Sequence, residues 1–80
     1  MTHEPTNFHR AAWAKQALTA FAEATDNTAV HRMHPHDLSD AISDLMCDLL
    51  HLANQSNLHP ECIVAQAQAN YEAELLEALS

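Results

Sequence analysis

Between His31 and Ala53 the chain reads HRMHPHDLSDAISDLMCDLLHLA, a run that holds four histidines, four aspartates and one cysteine. These side chains bind metals, move protons and hold cations. Three chemistries are therefore open: a metal centre, a carboxylate-based hydrolase, or an acidic face that docks something basic.

For a metal, Cys47-x3-His51 and His59-x2-Cys62 supply two thiols and two imidazoles, the ligand types and number of a structural zinc site. At about 100° per residue, however, Cys47 lies roughly 160° from the centre of its helix's apolar face. Cys62 is similarly opposed to Ile63, Val64 and Tyr71. If the apolar faces meet, the two thiols point apart, and a four-ligand site needs another packing or a second chain. His31, His34 and His36 form a further cluster that could bind a metal or titrate near neutral pH, against the plainer reading of a solvated linker. His51 follows Asp48 by one turn near a helix C-terminus, where a cationic side chain is favoured in any case. No metal ligand and no cofactor is assigned from these positions.

For hydrolysis, helical nucleotide pyrophosphohydrolases of the MazG type hold Mg²⁺ with carboxylates on facing helices, and DLSDAISDLMCD offers carboxylates at helical spacing. The glutamate-rich E-E-x-x-E partner is missing, because the first helical segment carries only Glu23. A single exposed stripe supplies no converging ligands. There is no glycine-rich phosphate loop and no nucleophile elbow, so the chain is expected not to be an enzyme and no catalytic residue is assigned.

The aspartates themselves remain. Asp37, Asp40, Asp44 and Asp48 follow one another at three or four residues, and such like-charge neighbours repel by a few tenths of a kcal/mol per pair. Their helix carries no lysine or arginine to offset this. All three basic residues, Arg10, Lys15 and Arg32, precede Met33, after which the chain has eight acids and no Lys or Arg. The net charge is −8, which disfavours direct contact with nucleic acid and favours a basic protein partner. The stripe, continued by Glu72, Glu74 and Glu77, is the expected partner-binding surface. The bland alternatives are that Arg10 and Lys15 supply the counter-charge, or that Asp37 and Asp40 serve a helix N-terminus.

Three helices have to position these residues. The 80-residue chain has no glycine and three prolines, and its apolar share of 48% is carried largely by alanine and leucine, a composition for helices and against hairpin-rich sheet. Helix 1 is expected over about 7–24, with Thr6 or Asn7 as N-cap and Ala14, Ala17, Leu18, Phe21 and Ala24 on one face. A linker over 25–36 breaks at His34-Pro35. Helix 2, about 37–54, gathers Leu38, Ala41, Ile42, Leu45, Leu49, Leu52 and Ala53 on a broad apolar face widened by Met46 and Leu50. A turn, with Asn54 or Asn57 replacing the usual C-cap glycine, leads to helix 3 over about 60–79, with Pro60 at its first position. The expected fold is all-α: one domain, a small three-helix bundle with a C-terminal antiparallel helical hairpin whose core buries Leu45, Leu49, Ile63, Ala67 and Tyr71.

DLMCDLLH, residues 44–51, followed after a turn by AQANYEAE, residues 67–74, resembles a loosely defined set of short, mostly uncharacterised helical proteins of bacteria and their mobile elements. These carry a D-L-x-C-D-L-x-H helix and an A-x-x-x-Y-E-A-E helix, and the likeness covers residues 41–75. Asn70 stands where that pattern has a histidine. The motif implies no particular chemistry.

No segment has the 18 or more apolar residues of a membrane span, and the N-terminal residues lack a secretion pattern, so a cytoplasmic protein with reduced cysteines is expected. The resulting expectation is a small acidic interaction protein, borne by a phage or mobile element, that inhibits by docking a basic nucleic-acid-binding surface. The likeness to anti-CRISPR proteins is one of size and acidity alone. The alternative is a metal-binding or self-assembling module built on Cys47, His51, His59 and Cys62, with a homodimer left open.

Overall fold

The computed structural model describes residues 5–25 and 35–79. Three helices account for them: α1 (Asn7–Ala24), α2 (Pro35–Gln55) and α3 (Pro60–Leu79), with no strand among the described residues. The all-α class and the three-helix architecture are those expected of a glycine-free, alanine-rich chain. α2 begins at Pro35 rather than Asp37, since proline fits a helix's first position, where its missing N–H costs nothing. His31 and His34 of the histidine cluster, and the side chain of His36, lie outside the described residues.

The helix ends are set by local chemistry. Thr6 caps α1: its Oγ1 accepts from the His9 N–H at 3.3 Å, while His9 Nδ1 accepts from the Thr6 N–H at 3.1 Å. This is a reciprocal capping box with an imidazole in the place usually taken by Glu or Gln. At the end of α2, Asn57 adopts a left-handed conformation, φ 61°. The Leu58 N–H reaches the Ala53 carbonyl at 2.9 Å and the Asn57 N–H reaches that of Asn54 at 3.2 Å. That pair of bonds is a Schellman motif, with asparagine doing what glycine usually does. The His59 carbonyl then accepts from Cys62 and Ile63, opening α3 with Pro60 at its first position.

Packing departs from the expected hairpin core. Leu18 and Ala22 of α1 meet Ala41 of α2, with Phe21 and Leu45 packed against them, and Ala53 is buried separately. Of the residues assigned to the core, Leu45 is half-buried against this cluster, but Ala67 is exposed, and Leu49, Ile63 and Tyr71 keep 52%, 41% and 57% of their surface in solvent. No residue of α3 is buried. The reason lies in how α1 attaches. Small side chains let its C-terminal half approach the Ala41 edge of α2 closely, while its first turn is tied to α3 by polar groups. Arg10 Nε lies 2.9 Å from Glu74 Oε2, and Asn7 Nδ2 donates to the Glu74 carbonyl at 3.2 Å. Held at both ends in this way, α1 bridges α2 and α3 rather than filling the space between their apolar faces.

Candidate interaction surfaces

Asp37, Asp40, Asp44 and Asp48 are all exposed and fall within an arc of about 80° on α2. Among the described residues none of the four has an ion pair or hydrogen bond through its side chain. Asp44, Cys47 and Asp48 border a shallow groove of about 220 Å³ where α2 meets Thr25 at the end of α1. The last turn of α1 holds no basic residue, so its carbonyl end adds to the negative potential there. Arg10, one of the two cations thought able to neutralise the stripe, is engaged with Glu74 instead, and Lys15 lies in the wall of a groove lined by Leu38 and Ile42.

The α3 acids assigned to the same surface divide. Glu72 is exposed and accepts a bond from Gln68 Nε2 at 3.0 Å; Glu77 is exposed on the last turn. Glu74 is half-buried and paired with Arg10, so its carboxylate is already engaged within the fold. Nothing in the sequence marks this pairing or the neighbouring bond from Asn7, whose partner Glu74 stands 67 residues away.

Cys47 and Cys62 are exposed free thiols. Cys47, His51, His59 and Cys62 do not converge, and no group of three His, Cys, Asp or Glu side chains able to hold a metal occurs among the described residues. His59 instead faces Glu61 at 3.9 Å, with both side chains largely exposed.

A second surface was not anticipated. A groove of about 560 Å³ runs between α1 and α2, walled by Ala14, Leu18, Leu38, Ile42, Met46 and Leu49. Another of about 350 Å³ runs between α2 and α3, walled by Met46, Leu49, Leu50, Ile63, Val64 and Tyr71. Met46 and Leu49 line both grooves, which lie side by side along the apolar face of α2 and are together called its apolar trough. The sequence did carry a signal for it: from Ala41 round to Leu50 the apolar arc of α2 covers about half the helix circumference, more than one neighbour hides. At the start of α1, Phe8 and Trp13 are also exposed, flanking the His9 ring, which stacks on Trp13 at 6.4 Å and 25°.

Among the described residues no helix is long and apolar enough to cross a membrane. No protein-family model matches the sequence, and comparison with curated proteins and with solved structures finds no match either.

Proposed function

We propose that this chain is a non-enzymatic interaction protein that docks a basic protein surface along the aspartate edge of α2. The observation that supports this is the run of Asp37, Asp40, Asp44 and Asp48: exposed, on one edge, and without a cationic partner among the described residues. Like charges at this spacing destabilise their own helix by a few tenths of a kcal/mol per pair, a cost that a partner's arginines and lysines offset through charge-assisted hydrogen bonds. In the sharper form of the proposal the partner's basic surface is one that otherwise holds nucleic-acid phosphates. Docking then inhibits by competition, as expected of a protein carried by a phage or mobile element.

The test is a pull-down from bacterial lysate with two baits run side by side, the native chain and Asp40→Lys/Asp44→Lys. Basic proteins retained by the first and absent from the second support the docking edge. An identical set of captured proteins on both baits contradicts it.

A further inference from the structure

We propose that the apolar trough of α2 is closed by a second copy of this chain, so that the protein is a homodimer built through that face. This goes beyond the acidic docking edge and does not depend on it.

The first support is the amount of surface left open. Ile42, Met46, Leu49, Ile63, Val64 and Tyr71, which wall the trough, each keep between 41% and 57% of their surface in solvent, a contiguous apolar face of the kind that marks an interface. The second is how little is buried. Among the described residues the buried hydrophobics are Leu18, Ala22, Ala41 and Ala53, one leucine and three alanines, a weak core for an 80-residue fold. Whatever covers the trough must be present whenever the chain is folded, and another copy is the one polypeptide that accompanies every copy at equal concentration. Residues 1–4 and 26–34, outside the described ones, bring only Met1, Val30 and Met33 as large apolar side chains, a poor match for a face this apolar.

The third support is charge. Lys15 is the one side chain in the trough wall that is charged at neutral pH, and the aspartates of α2 lie on the other side of the helix. Two copies can meet trough to trough about a twofold axis without opposing their acids. Association through the aspartate edge would instead set like charge on like charge, between chains of net charge −8.

Sedimentation of the full chain across the micromolar range tests this. The expected result is a mass of twice 8.9 kDa, with a melting temperature that rises with protein concentration. Met46→Glu/Leu49→Glu should raise the dimer dissociation constant about 100-fold or more, because each substitution enters the interface twice. Both side chains are half exposed in the single chain, so glutamate is tolerable there. Should that variant unfold, dilution of the native chain gives an independent reading, since helicity should fall as the dimer dissociates. A single-chain mass at every concentration, with melting independent of concentration, overturns the proposal. So does a dimer that the double variant leaves equally strong. A monomer whose trough binds a hydrophobic dye overturns it as well and assigns the face to another occupant. Salt separates the two proposals: the dimer should strengthen as salt screens its like charges, whereas docking of a basic partner should weaken.

Discussion

Arg10 and Glu74 form an ion pair, Nε to Oε2 at 2.9 Å, that joins the first turn of α1 to the last turns of α3. Arg10 Nη1 also donates to Asn7 Oδ1 at 2.8 Å, and Asn7 Nδ2 to the Glu74 carbonyl, so three residues make one polar clasp. Its consequence reaches α2: in a chain with three basic residues, a cation committed to α3 leaves the aspartate edge without it.

The clasp should be modest in energy and large in geometric effect. Both side chains keep about a third of their surface in solvent, so a double-mutant cycle with Arg10→Ala and Glu74→Ala should return a coupling of about 0.5–1 kcal/mol. Glu74→Gln should leave partner binding unchanged while Asp40→Lys/Asp44→Lys removes it. Zero coupling in the cycle would show that the clasp adds nothing to stability.

The caps make a cleaner stability prediction. Thr6→Ala should cost about 1 kcal/mol. Asn57→Gly should be neutral or slightly stabilising, whereas Asn57→Val, forced to a left-handed φ of 61°, should cost about 1–2 kcal/mol. Urea denaturation of the three variants, compared at one protein concentration, checks the order.

Leu18 and Leu76 should behave differently although both are helix leucines. Leu18 is 5% exposed and Leu76 68%, so Leu18→Ala should cost about 2–5 kcal/mol, and Leu76→Ala well under that. Equal losses of melting temperature would mean that the contact of Leu18 and Ala22 with Ala41 is not the organising one.

The thiols and imidazoles are expected to be independent of metal. Cys47→Ser/Cys62→Ser should melt as the native chain does, with or without zinc, and a chelator should not shift the transition. Stoichiometric zinc in the purified protein, or unfolding on chelation, would restore the metal-binding alternative.

Helix ends were largely legible in the sequence because they are decided within a few residues: Thr6 was one of two N-cap candidates for α1, Asn57 one of two for the turn after α2, and Pro60 opens α3, whereas the His9 partner of Thr6 and the start of α2 at Pro35 were not read. The aspartate edge was legible for the same reason, as a spacing on one helix. The core was not. An amphipathic pattern says which residues of α2 avoid water but not which neighbour covers them, and α1 took the Ala41 edge in place of the centre. The Arg10–Glu74 clasp depends on that tertiary choice, so Glu74 read as one more surface acid.

The most direct measurement of the docking edge is the affinity of a captured basic partner for the native chain and for Asp40→Lys/Asp44→Lys, each followed from low to high salt. Lysine is well tolerated at exposed helix positions, and unchanged helicity by circular dichroism verifies that the variant is folded. The expected result is binding by the native chain that falls steeply as the screening length shortens from about 10 Å at 0.1 M to about 3 Å at 1 M, with none by the variant. Equal affinities for the two chains, insensitive to salt, would contradict the assignment of Asp37, Asp40, Asp44 and Asp48 as the docking surface.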